Sequence, residues 1–454
     1  MRKRILIGFA AIFLLCLLPV TAFGEWSSSL LKDSGITLHS PIYLLANADD
    51  GEVIFSKGAD TRSAPASLTK IATAAVVLEE RADLSERVTV TQADLDALYG
   101  TDSSTAGLSS GEERTIKELL ACLLLPSGND AAMTLARVVG GSVTAFVEKM
   151  NRFAQTLGCG NTQFVNPHGL DEPGQYSSAA DMLKMVRKAM EYPVFAELVA
   201  KREYELPAVG GFPARTIKNT NELMNPGIPD YYSPYAIGIK TGHTEESGRC
   251  VIGYASHNGY SYYAIVMRGT IKNLDDDAIG ENTAFVDAKS MFAWAFENLR
   301  LVKVATPLNV ITELPLLYGK EGDRMPLSPA EDIYLLLPSS VAANGLLIVP
   351  DEESLPEELE APVEQGKAMG GAKVYYANQE VGEFALVTQS SAQRSAFLYT
   401  IKLLGDVFKS LPFRLIAVVI LLLLAGYIVL HFRKRRKKRN PRPMRVGPEG
   451  RTRN

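Results

Sequence analysis

The chain has 454 residues, enough for two or three domains with cores of their own. At 46% hydrophobic and 22% charged, it reads as folded and not disordered. The formal net charge of -4 averages over an uneven chain: residues 25–432 hold 33 basic and 50 acidic side chains, net -17, which offers no basic face to nucleic acid.

The first residues read MRKRILIGFAAIFLLCLLPVTAFGE. Three basic residues, an apolar run from Ile5 to Val20 and the small residues Ala22 and Gly24 form the layout of a secretory signal peptide, residues 1–24. An uncleaved anchor is the alternative. Pro19 and the small residues behind it favour cleavage. Cys16 follows Leu15, which argues against lipid modification there.

Next, IYLLANADDGEVIF reads as a hairpin turning at Asp50-Gly51. Helical patterns run from Ser67 to about Gly141, from about Val143 to Leu157 and from Tyr176 to Val199. From Ile237 the period becomes two. AIGIKTG, RCVIGYAS and YSYYAIVMRG read as strands, the last two joined at His257-Asn258-Gly259. AFVDAKSMFAWAFENL then returns to helical spacing. This order predicts an α+β domain, residues 25–300, with helices on an antiparallel sheet.

After residue 300, short runs such as IYLLLP, GLLIVP, AKVYYA and GEFALVT alternate with turn residues. They read as a separate β-rich domain, residues 301–390. Residues 391–414 contain an amphipathic helical stretch. Leu415–Phe432 carries no Asp, Glu, Lys or Arg. At about 1.5 Å per residue its 18 residues span roughly 27 Å, a hydrocarbon core's thickness. Seven consecutive cations, Arg433–Arg439, open a tail at 433–454 that should stay cytoplasmic. A buried core helix is the alternative, but it would not need to end in such a run.

Past the leader, Cys122, Cys159 and Cys250 remain. An odd number without CxxC indicates neither a disulfide framework nor a zinc site. The histidines show no metal-ligand spacing, and no metal or organic cofactor is expected.

Three short motifs carry chemistry. In APASLTKIATAAVVLEE, Ser67 and Lys70 share a face at a helix start. Burial or a neighbouring cation would lower the lysine pKa and make it a base for the serine. The pattern alone is weak, since Ser29 and Lys32 repeat it. The second motif, Ser127-Gly-Asn129, lies between two helices, where an ordinary N-cap is the alternative. Ser256-His-Asn258 mimics it in a turn. The third, Lys240-Thr241-Gly242, ends a strand. Its cation and hydroxyl could hold a carboxylate, and its glycine admits a substrate backbone. A protected edge strand is the alternative.

Taken together and in this order, the motifs are those of penicillin-recognising serine acyl enzymes. APASLTKIATA, LLPSGNDAA, FVNPHGLD and GIKTGHT resemble the serine D-alanyl-D-alanine carboxypeptidases, the low-molecular-mass penicillin-binding proteins, over roughly residues 35–300. The resemblance implies a penicillin-binding/β-lactamase-like transpeptidase fold: an antiparallel sheet with helices on both faces plus a helical subdomain, then the small β-rich domain and one C-terminal transmembrane helix. It implies Ser67 as nucleophile, Lys70 as its base, and Ser127 as proton relay helped by Lys240. Asn129 would hold the peptide amide, and Lys240 and Thr241 would face the terminal carboxylate. Backbone N–H groups of Ser67 and His243 would form the oxyanion hole. It also implies peptidoglycan D-Ala-D-Ala stem peptides as substrate, β-lactams as inhibitors, and a bacterial single-pass membrane protein with its catalytic domain outside, held in lipid by the C-terminal helix.

One departure stands out. Relatives often carry a carboxylate-binding arginine downstream of the third motif, where this chain reads RGTIKNLDDDAIGEN, with Arg268 and Lys272 as its cations. Glu222-Leu-Met-Asn225 superficially resembles the deacylating glutamate motif of class A β-lactamases, but it lies close before Lys240 and the likeness reads as coincidence. A D,D-endopeptidase or a non-turnover penicillin-binding wall protein would use the same residues.

Overall fold

The computed structural model of the chain describes residues 36–101, 103–274 and 280–437. The expected leader, Ser29 with Lys32, and the end of the basic tail lie outside the described residues. The chain divides into two compact units, the second comprising Lys303–Tyr334, Leu346–Tyr375 and the chain from Gly382 onward.

The first unit is built on a five-stranded sheet. β1 (Ile42–Asn47) and β2 (Val53–Lys57) form the expected hairpin. β3 (Ala236–Thr244), β4 (Gly248–His257) and β5 (Tyr260–Gly269) follow much later in sequence. The order is β2-β1-β5-β4-β3, antiparallel throughout. Leu44 thus sits opposite Ile265, and β3 is left as an edge strand. Asn258 and Gly259 turn β4 into β5 with φ of 52° and 83°, the signs a type I′ turn requires.

Strand side chains alternate between two cores. On one face Leu44, Ile252, Ile265 and Met267 pack against a helical layer. Its members are α1 (Thr69–Glu80), α2 (Ile116–Leu124), α3 (Asn129–Gly140), α4 (Val143–Thr156), α5 (Ala179–Met190) and α6 (Pro193–Val199). On the other face Leu45, Val251, Ala264 and Val266 pack against Ala288, Met291, Phe292 and Ala295 of α7 (Thr283–Asn298). This is the sheet with helices on both faces that the family resemblance implies.

Two stretches differ from the sequence reading. Between α1 and α2 the chain is not helical throughout, because Arg87–Thr89 pairs with Glu113–Thr115. The run from Tyr176 to Val199 is two helices. Pro193 has no N–H to continue α5 and instead occupies the first turn of α6. In α1 every residue from Thr69 to Val77 is buried. An α-helix buried on all sides is a core element, and this one carries Lys70 inside with it. Cys122, Cys159 and Cys250 are buried free thiols.

A second sheet, most of it in the second unit, contains β6 (Thr312–Leu317), β7 (Arg324–Ser328), β8 (Leu347–Pro350), β9 (Leu359–Glu360), β10 (Ala368–Tyr376) and β11 (Gln379–Thr388). They form one sheet in the order β8-β10-β11-β7-β6-β9. Leu314, Leu316, Met325, Leu327, Val374 and Leu386 are buried. Then come α8 (Ala396–Lys409), with Phe397, Ile401, Leu404 and Phe408 exposed, and α9 (Leu411–Lys437). α9 is long and apolar enough to cross a membrane, and its apolar stretch is not buried against protein.

Candidate active site

The site begins at a tight turn. Pro65 leads into a single 3₁₀ turn, Ala66–Leu68, with Ala66 at φ 46°, and α1 continues from it. Ser67 therefore sits at a helix start, where backbone N–H groups favour developing negative charge. One turn on, Lys70 is fully buried. Its Nζ lies 2.8 Å from Ser67 Oγ and donates to the His168 carbonyl oxygen at 2.7 Å. Burial holds its pKa well below 10.5, Lys240 pushes the same way, and Asp130 opposes them. A neutral amine next to a hydroxyl can accept its proton.

The Ser127 loop joins α2 to α3. Ser127 has φ 66°, and its Oγ is buried without a hydrogen-bond partner among the described residues, as is Asn129 Oδ1. A buried polar atom left unpaired costs about 1–3 kcal/mol, so both are groups that a polar partner in the cleft could satisfy. Asp130 fixes the loop from behind. Its buried carboxylate accepts from Ala106 N and Leu108 N, both at 3.0 Å. Ser104 Oγ donates to the Ser127 carbonyl oxygen, and Asn129 N donates to that of Ser104.

Edge strand β3 supplies the third wall. Lys240 is buried, donates to the Thr241 carbonyl oxygen at 2.9 Å, and is pushed down to about 7 by desolvation. Thr241 Oγ1 and Thr220 Oγ1 are 2.6 Å apart. A Cβ on Gly242 would stand 3.1 Å from Ser67 N, so the strand runs against the nucleophile turn. His243 is exposed, its Nδ1 3.1 Å from the Gly248 carbonyl oxygen. Ser67, Ser127, Thr241, Gly242 and His243 line one cleft together. Ser256 and Asn258 do not line it. They sit at the β4–β5 turn, where Ser256 Oγ accepts from Ser261 Oγ.

The loop Asn166–Leu170 has a part the sequence does not announce. Asn166 Oδ1 accepts from Gly169 N at 2.7 Å, and Thr73 Oγ1 donates to the Pro167 carbonyl oxygen at 2.6 Å. His168 reaches Lys70 through its backbone carbonyl. Its ring accepts from Leu170 N, and desolvation depresses it to about 3. A Cβ on Gly169, at φ 91°, would lie 1.9 Å from the Ala66 carbonyl oxygen. The NPHG turn is the one signal pointing here. Glu222, read above as coincidence, lines the cleft, with Oε2 buried and unpartnered and its pKa raised by burial. Its place between the second and third motifs is the available signal.

A family profile described as D-alanyl-D-alanine carboxypeptidase matches residues 31–270, more than half the chain. The chain belongs to the D-alanyl-D-alanine carboxypeptidase family. A profile for the C-terminal domain of penicillin-binding protein 5 matches residues 300–394. Among carboxypeptidase relatives, DacF of Bacillus subtilis is 28% identical over 80% of this chain and 88% of its own. DacB2 of Mycobacterium tuberculosis is 35% identical over 56% of this chain and 81% of its own. Among solved structures, penicillin binding protein 5 from Haemophilus influenzae shares the fold, with a TM-score of 0.62 at 24% identity, covering 79% of this chain and 99% of that one. The Streptomyces K15 DD-transpeptidase is 30% identical, with a TM-score of 0.52, over 58% of this chain and 98% of that one.

In this carboxypeptidase, Gly169→Ala should break the fit between the Asn166–Leu170 loop and the nucleophile turn. Gly174→Ala is the control, because Gly174 has the same φ of 91° but its nearest atom would be 3.7 Å away. Thermal unfolding should show a loss of about 1–2 kcal/mol for the control and about 1–3 kcal/mol more for Gly169→Ala. Labelling of Ser67 by a fluorescent penicillin should slow only in the latter. Equal behaviour of the two variants would show that the close approach is unimportant.

Proposed function

We propose that the chain is a serine-type D-alanyl-D-alanine carboxypeptidase that removes the terminal D-alanine from peptidoglycan stem peptides and is acylated by β-lactams at the same serine. The observation that carries this reading is the buried, depressed Lys70 within 2.8 Å of Ser67 Oγ, on a cleft shared with Ser127 and Thr241-Gly242.

Ser67 Oγ attacks the carbonyl carbon between the two D-alanines while its proton passes to Lys70 Nζ. The carbonyl oxygen becomes an oxyanion and is held by the backbone N–H groups of Ser67 and His243. Asn129 holds the peptide amide and Thr241 faces the terminal carboxylate. As the C–N bond breaks, Ser127, assisted by Lys240, delivers its hydroxyl proton to the departing amine and takes up the one held by Lys70, which is neutral again. D-alanine leaves and an ester remains on Ser67. Water then attacks that ester, giving up one proton to the base. The C–O bond to Ser67 breaks, the shortened peptide leaves with a new carboxylate, and Ser67 recovers its proton. A β-lactam enters by the same attack, but its opened ring stays attached.

The same reading makes α9 a single membrane pass. The catalytic unit stands outside and the basic tail inside, as the cation run after Phe432 favours. The exposed apolar residues of α8 suit the membrane interface.

A second reading, β-lactam hydrolysis, is favoured by one observation: Glu222 brings an unpartnered carboxylate oxygen to the cleft, where it could activate the deacylating water. Release of penicilloate that falls at least about tenfold in Glu222→Gln would support it. An acyl-enzyme equally long-lived in both proteins would count against it.

The principal test uses the full chain in detergent and a peptide ending in D-Ala-D-Ala, assayed for free D-alanine. Wild type should release it, and Ser67→Ala should lower the rate by about a thousandfold or more. Release that persists in Ser67→Ala would overturn the assignment of the nucleophile.

A further inference from the structure

We propose that Arg249 is the cation that receives the substrate's terminal carboxylate in this chain. The inference rests on the carboxypeptidase reading and specifies the residue that makes it selective for a free C-terminus.

A peptide ending in D-alanine presents a planar anion, and an arginine fork is the protein group that matches it in both charge and geometry. The downstream cations of the sequence do not meet this need. Arg268 and Lys272 are exposed, and neither lines the cleft. Lys70 is fully buried behind Ser67, is not among the residues that line the cleft, and is taken up by its part as base. Lys240 is buried and half neutral near pH 7. A permanent positive charge must come from elsewhere.

Arg249 supplies it from the neighbouring strand. It stands on β4 directly opposite His243 of β3. Cross-strand partners point to the same side of a sheet, so its side chain shares the side of the His243 imidazole. Both residues line the cleft with Ser67 and Thr241. Arg249 is half-buried, and its guanidinium makes neither an ion pair nor a hydrogen bond among the described residues. Other arginines of this unit are engaged: Arg81 with Glu86, Arg114 and Arg215 with Glu112, and Arg137 with Asp94.

The rest of the wall is compatible with an anion. Asn282 and Phe285, at the N-terminal end of α7, also line the cleft, and a helix start favours negative charge. Glu222 is the acid on this wall, and burial shifts it toward its neutral form.

The test compares wild type, Arg249→Gln and Arg249→Lys as full chains in detergent, each with a peptide ending in D-Ala-D-Ala and with the same peptide as its C-terminal amide. A lost charged hydrogen-bonding pair should lower kcat/KM for the free acid by roughly 10- to 100-fold in Arg249→Gln and less in Arg249→Lys. The amide should change by less than about threefold, because it never engages the charge. A parallel arm measures acylation of Ser67 by a penicillin and by its methyl ester, and the same loss of preference for the acid is expected. Equal losses on acid and amide, or no loss on either, would overturn the proposal. Should wild type release neither D-alanine from the acid nor D-alaninamide from the amide, the carboxypeptidase reading fails. The penicillin arm still decides Arg249: a preference for the acid that vanishes in Arg249→Gln upholds its role, and an unchanged preference rejects it.

Discussion

The site depends on an amine taken wholly out of water. Lys70 is fully buried, and its described partners are the Ser67 hydroxyl and one backbone carbonyl oxygen, neither carrying a compensating negative charge. Desolvation of an ammonium is costly, so burial moves the balance toward the neutral form, and the neighbouring Lys240 moves it further. On the proposed mechanism, this burial is what fits an ordinary lysine side chain for the part of a base. Asp130 is the counterweight. It pulls Lys70 toward its charged form, yet its carboxylate is committed to backbone N–H groups of the 104–108 loop.

Much of the first unit reads as the frame this burial requires. α1 is enclosed by α2, α3, α4 and α5, which closes water out from around Lys70. The Asn166–Leu170 loop supplies the accepting carbonyl, and Gly169 and Gly242 let the loop and β3 run against the turn that bears Ser67. An alanine at the first position would collide with backbone. Every residue that lines the described cleft belongs to the first unit. The second unit's distinguishing features are most of a second sheet and the exposed apolar helices α8 and α9.

The architecture is legible in the sequence where periodicity is local. The hairpin at Asp50-Gly51, the three strands after Ile237 and the amphipathic helices all declare themselves within a dozen residues. The split at Pro193 and the Arg87–Thr89 pairing with Glu113–Thr115 are harder, because each depends on tertiary partners outside the window. For the site, Ser67, Lys70, Ser127, Asn129 and Lys240-Thr241-Gly242 are visible as motifs since each is a run of a few neighbouring residues. What the spacing hides is contact made by backbone atoms or across strands. The His168 carbonyl has no side-chain signature. Arg249 becomes relevant only when β4 pairs with β3 and brings it opposite His243.

The central claim is that burial makes Lys70 a neutral base for Ser67. The most direct measurement is the pH dependence of Ser67 acylation by a penicillin, with the second-order rate constant followed from acid to alkaline pH. Lowering a lysine pKa extends the neutral form downward in pH, so the rate should rise with pH through a midpoint well below 10.5 and reach its plateau before that value. A rate that keeps climbing to a midpoint near 10.5 would show a lysine titrating as it does in water, and would contradict the account.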